Sequence, residues 1–301
     1  MSHDPGSILV AHAGDAIVTQ HMLAAVASLS YKSSAMPPQS GLKRLRQSTN
    51  AANGFDGAAW FHVASGTLIF ANRGAEGLRS FRDWFEGYRA AAQGAFDGPI
   101  LSAVTFFEQV CKKLGTSAGI DGVTWPAVSE IMCCGHSWGG ALAEAQVAVG
   151  ASIIAKAGLE KTLVSGVGIG SAGFADAIQN LSAARSLPIV PDMSAFMDHF
   201  VRPSDPIRIQ PNWRVLGDTF LCADIWSAMP TPAPHGGSGR IWSLVTAGDV
   251  NHDHQNYVAF FDVRVGRHIF IAGDDRFRIF EREQPERINF GTVPPSQVLL
   301  A

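Results

Sequence analysis

Apolar residues recur along the chain at two different spacings, and the alternation between them predicts the order of elements. Within residues 15–29, Ile17, Val18, Met22, Leu23, Val26 and Leu29 fall at near-helical spacing, predicting an amphipathic helix packed on the body of the protein. Residues 34–53 carry Pro37, Pro38, several serines and the basic residues Lys43, Arg44 and Arg46, with little periodicity, and read as a loop. Two short apolar runs, 58–63 and 66–71, predict a tight pair of strands joined at Ala64-Ser65. Leu101, Val104, Phe107, Val110, Cys111 and Leu114 then predict a helix. After a glycine-containing loop at 115–122, a strand is expected at 129–134, followed at once by Gly135-His136-Ser137-Trp138-Gly139-Gly140 and an alanine-rich helix from 141 to about 149.

Further strands are expected at 163–169 and 198–201. Near the end, 268–272 and 276–280 flank Gly273-Asp274-Asp275, a hairpin signal. Strands alternating with helical segments predict an α/β fold with a parallel or mostly parallel sheet. A length of 301 residues with 47% hydrophobic and 16% charged residues suits one large core. The expectation is a single domain over 1–301, with a core at about 15–262 and a C-terminal hairpin extension at about 263–301.

A formal net charge of -3 offers no basic field to gather phosphates, so nucleic acid is not an expected partner. Residues 1–6 lack the basic and apolar regions of a secretory signal, so a cytoplasmic location is expected, with signal-independent export as the other route. Glu144, Gln146 and Lys156 interrupt the apolar stretch 141–159, so no membrane-spanning helix is expected. Cys111, Cys133, Cys134 and Cys222 are few and read as small core residues in a reducing compartment. The adjacent pair 133–134 lacks the spacing of a zinc site.

The pattern Gly135-x-Ser137-x-Gly139 fits a sharp turn from strand to helix that holds a nucleophilic serine above the sheet. At a helix N-terminus, the dipole and free N–H groups favour the negative charge of acyl transfer. In α/β-hydrolases the acid and then the histidine follow the serine. Asp205 follows a short apolar run and lies in the turn Arg202-Pro203-Ser204-Asp205-Pro206, which makes it the candidate acid, although aspartate before proline is also a common turn residue. His252 and His254 are the candidate bases. With Asp249 and Asp253 they also suggest a metal cluster, but four ligands so close in sequence rarely close a tetrahedron. His199 and His268 lie in strand-like runs and read as core or surface residues; His136 is turned away from the serine hydroxyl by the elbow itself.

These residues resemble the class 3 lipase family, the fungal-lipase-like branch of the α/β-hydrolases, whose elbow reads G-H-S-L-G-G where this chain has Gly135 to Gly140 as GHSWGG. Phe70-Ala71-Asn72-Arg73-Gly74-Ala75 with Trp84 is similar to the family's strand ending in arginine-glycine and its following tryptophan. Val167-Gly168-Ile169-Gly170-Ser171-Ala172-Gly173 resembles its glycine-rich strand end. Asp205-Pro206-Ile207-Arg208-Ile209-Gln210-Pro211 is similar to D-x-V-P-x-x-P, and Asp253-His254-Gln255-Asn256-Tyr257 to D-H-x-x-Y, which selects His254 over His252. The resemblance spans roughly 15–261.

The resemblance implies an α/β-hydrolase fold, hydrolysis of lipid or other acyl esters by Ser137, Asp205 and His254, and an oxyanion hole from the N–H groups of Ala75 and Trp138. No cofactor and no metal are implied. A lid is implied at 85–96, with transient contact to a lipid surface. Trp138 stands where the family has leucine, Ala75 where it often has a small hydroxyl residue, and a proline-arginine pair after the glycine-rich strand is missing. The same residues would also serve a phospholipase A or an acyltransferase, and a catalytically silent binding protein is the reading from another class.

Overall fold

The computed structural model describes residues 5–31, 36–75, 90–91, 93–159, 162–201, 205, 214–222, 268–271 and 280–282. Its helices are α1 (Pro5–Ala11), α2 (Gln20–Leu29), α3 (Pro99–Leu114), α4 (Trp138–Lys156) and α5 (Ala175–Arg185). Its strands are β1 (Leu42–Asn50), β2 (Phe55–His62), β3 (Thr67–Asn72), β4 (Glu130–His136), β5 (Leu163–Ile169), β6 (Met197–Val201), β7 (Asp218–Cys222), β8 (His268–Ile271) and β9 (Phe280–Arg282).

All of these strands join one nine-stranded sheet in sequential order. β3 to β7 run parallel, while β1 and β2 at one end and β8 and β9 at the other pair antiparallel. β3 to β6 are linked by crossovers through α3, α4 and α5, since parallel neighbours need a crossover connection. This mostly parallel centre with helices on both faces is the α/β-hydrolase architecture. Side-chain alternation along β4 divides the core between the faces. Ile131 and Cys133 join the cluster built with α3 and α4, whereas Met132 and Cys134 join the cluster built with α1 and α2. On the first face, Phe70 is fully buried with its ring 4.7 Å from Phe107 and 5.7 Å from Phe106. Burial of such a ring stabilises the fold by roughly 2–3 kcal/mol.

The expected strands and helices reappear with adjusted ends. β5 coincides with 163–169, while α4 runs on to Lys156, well past the expected 149, because its later turns stay packed against the sheet. The hairpin is present as β8 and β9, with Phe270 opposite Phe280, but the second arm begins where the sequence expected it to end. Two expectations are corrected. The stretch read as a loop at 34–53 contains β1, a strand at the sheet edge whose exposed, charged positions leave only Leu45 fully buried and so hide its period. The helix over 15–29 is shorter and not amphipathic: every residue from His21 to Leu29 is buried, since α2 packs on the sheet beneath α1. Among the described residues one helix, Trp138–Lys156, is long and apolar enough to cross a membrane, and 83% of its apolar window is buried inside the fold as the core helix.

Candidate active site

The turn from β4 to α4 leaves Ser137 at φ 60° and ψ -126°, a backbone conformation costly for a residue with a side chain. The turn is tight enough to exclude side chains at its flanks. A Cβ on Gly135 would lie 2.1 Å from the Gly139 carbonyl oxygen, and one on Gly139 would lie 2.1 Å from the Asn72 carbonyl oxygen. The backbone is locked by the Ser137 N–H donating to the Ile169 carbonyl at 2.8 Å and the Ala172 N–H donating to the Ser137 carbonyl at 3.1 Å. The hydroxyl of Ser137 makes no capping bond to α4. It stands at the N-terminus of a 19-residue helix, where partial positive charge favours a developing anion.

The loop after β3 is pressed against this elbow. A Cβ on Gly74 would meet the Tyr31 hydroxyl at 2.1 Å, the His136 carbonyl oxygen at 2.5 Å and the Ser137 Cβ at 3.1 Å. Only glycine permits that approach, and the exposed Ala75 follows directly after it. Two ties hold the loop, and a third holds the elbow beneath it. Asn72 Nδ2 donates to Gln146 Oε1 at 2.7 Å, and Gln146 Nε2 to the Ala103 carbonyl at 3.1 Å, all within the core. Arg73 pairs with Asp56 at 3.2 Å, and its N–H donates to the Asp56 carbonyl at 2.9 Å. The Tyr31 hydroxyl, just beyond α2, donates to the His136 carbonyl at 3.2 Å and lies 2.8 Å from His136 Nδ1. His136 is thus turned to Tyr31, as the elbow's geometry requires.

The C-terminal ends of the parallel strands share one edge, with Asn72 level with Gly135, His136 with Ile169, and Ile169 with Phe200. Ligands in open α/β sheets bind outside such an edge. Ser137 follows β4 there, Ala75 follows β3, and Asp205 lies just beyond β6, two strands from the serine along the same edge. Asp205 is fully buried. His254 and the alternative His252, together with Asp249 and Asp253, lie outside the described residues, as does half of the segment expected as a lid.

Trp138 is almost fully buried, and its ring packs edge-on to Phe174 at 4.7 Å. It lines a cavity of about 250 Å³ with Ala91, Phe96, Pro99 and Ile100, beside the elbow. Ala90, Ala95, Asp97 and Gly98 complete its lining. Cys111, Cys133 and Cys134 are buried free thiols, and burial pushes all three well above the usual thiol range. His199 is wholly buried against Glu144, a core residue as expected. Tyr31 and Gln146 were not singled out from the sequence as site residues; nothing local marks either, because each acts on partners far away in the chain.

No family model and no curated protein matches this sequence. Among solved structures the chain is similar to a lipase from Rhizopus microsporus var. chinensis, at 16% identity and a TM-score of 0.42, over 66% of this chain and 73% of that one. It is similar to the Lip2 lipase from Yarrowia lipolytica, at 16% identity and a TM-score of 0.41, over 67% and 76%. A triacylglycerol lipase from Penicillium expansum shares 12% identity with a TM-score of 0.38, over 71% and 80%.

Proposed function

We propose that this protein is a serine hydrolase of carboxylic esters, with Ser137 as nucleophile, His254 as general base and Asp205 as the acid that orients it. The observation that carries this reading is the strained serine, held at φ 60° at the head of a buried helix where a capping or packing role would need no strain. In the reaction, His254 takes the Ser137 proton as Oγ bonds to the ester carbonyl carbon. The oxyanion accepts hydrogen bonds from the N–H groups of Ala75 and Trp138. The carbonyl re-forms as the alcohol leaves with the proton from His254, and water repeats the sequence to release the acid and free Ser137.

The spacing suits that relay. Two strand separations amount to roughly 10 Å, a gap that one imidazole hydrogen-bonded at both ends largely fills. The cavity is apolar on most of its wall and is lined by Trp138, the residue after the serine, which favours an acyl chain over a polar acid component. Acyl esters, lipids among them, are therefore the proposed substrates, with the 85–96 segment covering the chain. Hydrolysis of a short p-nitrophenyl ester tests the reading. Ser137→Ala should lower turnover by about six orders of magnitude. A folded variant keeping more than a few per cent of the wild-type rate ends the proposal.

A further inference from the structure

Tyr31 stands one residue beyond the C-cap of α2, a helix whose residues from His21 to Leu29 are all buried in the layer packed on the sheet. Its hydroxyl is thereby carried to the junction of the elbow and the loop after β3. The Tyr31 Oη, the His136 carbonyl oxygen and the Ser137 Cβ all lie within 3.1 Å of one point, the place that a Cβ on Gly74 would occupy. One hydroxyl thus touches both the residue before the nucleophile and the residue before Ala75. It donates to the His136 carbonyl at 3.2 Å and lies 2.8 Å from His136 Nδ1. With the hydroxyl proton on the carbonyl, the second contact is a hydrogen bond when Nδ1 carries a proton and donates to the phenol oxygen. The two rings meet edge-on, with centroids 5.6 Å apart.

A phenylalanine would fill the place of the ring, so packing alone does not call for the hydroxyl. What the hydroxyl adds is a fixed spacing between two backbone segments, one leading into Ser137 and Trp138, the other into Ala75. Ala75 brings no side-chain hydroxyl of its own, and Gly74 has no side chain with which to grip the elbow. The N–H groups of Ala75 and Trp138 are therefore set by backbone position. We propose that Tyr31 is a positioning residue: its hydroxyl bonds the elbow, seats Gly74 against it, and so holds these two N–H groups at the spacing the oxyanion needs. The inference rests on the reading of Ser137 as nucleophile and of these N–H groups as the oxyanion hole. One oxyanion donor contributes on the order of a hundredfold or more in turnover, and a misplacement of about 1 Å is enough to lose that much.

Hydrolysis of p-nitrophenyl butyrate, and inhibition by butylboronic acid, which forms a tetrahedral adduct with a nucleophilic serine, test it in Tyr31→Phe, His136→Asn, His136→Leu and Ser137→Ala. Y31F should lower kcat by about tenfold or more with KM within about twofold. Its Ki for the boronic acid should rise by a similar factor, since adduct and transition state both place an oxygen in the hole. A hydroxyl with only a structural role would lower the melting temperature on removal and leave kcat and Ki where they were. H136N keeps an amide N–H near the Nδ1 position and should stay within about threefold of the wild-type kcat, whereas H136L should lose about tenfold. A folded Y31F within about threefold of the wild-type kcat overturns the proposal, as does a slow Y31F with an unchanged Ki, or an H136N no faster than H136L. Should Y31F fail to fold, the two His136 variants decide by that last criterion. S137A at the wild-type rate would remove the nucleophile itself, whereas an inactive S137A beside a fast Y31F would remove only the role of Tyr31.

Discussion

Ser137 and Asp205 each follow a parallel strand of one sheet, and the chain around the two strands is held by different means. The elbow is made by consecutive residues: β4 ends, one residue takes a left-handed conformation, and α4 begins. Its backbone bonds reach to the end of β5 and just beyond it, at Ile169 and Ala172, and its glycines fit against the adjoining loop. The strands that flank Asp205 in the chain rely on longer reach. β6 and the turn into β7 are tied by a carboxylate on a distant helix, by a histidine within β6 and by the seating of Gly217 on Met197. The proposed nucleophile is built from a short run of sequence, whereas the strands that flank its proposed orienting partner depend on packing.

That contrast can be broken from either side. On the side of the acid, Asp205→Asn should lower kcat by about four orders of magnitude while leaving the fold intact, read by turnover against melting temperature. A loss of less than about tenfold would mean that the segment delivers no acid. On the side of the elbow, Gly139→Ala forces a methyl group against the Asn72 carbonyl, and the loop bearing Ala75 must give way. The expected result is a loss of about a hundredfold in kcat/KM, with a lowered melting temperature. An unchanged enzyme would show that the close fit of loop and elbow is unimportant.

The opposite edge of the sheet sharpens the comparison by a smaller effect. His62, at the end of β2, is lowered from the ordinary histidine value of 6.5 mainly by burial, with the Ala13 carbonyl and Asp15 opposing. A buried histidine with a lowered value is neutral in the fold, so the unfolded chain takes up the proton first as pH falls. Stability should be level above about pH 6.5 and decline below it, and His62→Asn should flatten that decline without moving the acidic limb of the activity profile. Melting curves at pH 7.5 and 5.5 for both proteins check this. An equal decline in each would remove the assignment.

What the sequence discloses follows the same division. β4, the elbow and α4 were legible because strand, turn and helix are contiguous and each carries its own signal. The parallel order was legible from alternating elements. β1 was not, because an edge strand exposing Lys43, Arg44 and Arg46 has no apolar period to read. Glu144 and Gln146 were read only as interruptions of an apolar run, yet both are wholly buried and tie the turn into β7 and the loop after β3. Buried polar residues need partners from elsewhere in the chain, and those partners are invisible until the helix has been docked.

The nucleophilic serine is tested most directly by treating the folded protein with a fluorophosphonate and mapping the adduct by mass spectrometry. A single stoichiometric adduct at Ser137, lost in His254→Ala and absent after unfolding, is the predicted result. A folded protein that takes up no probe, or takes it up at another serine with Ser137 untouched, would contradict it.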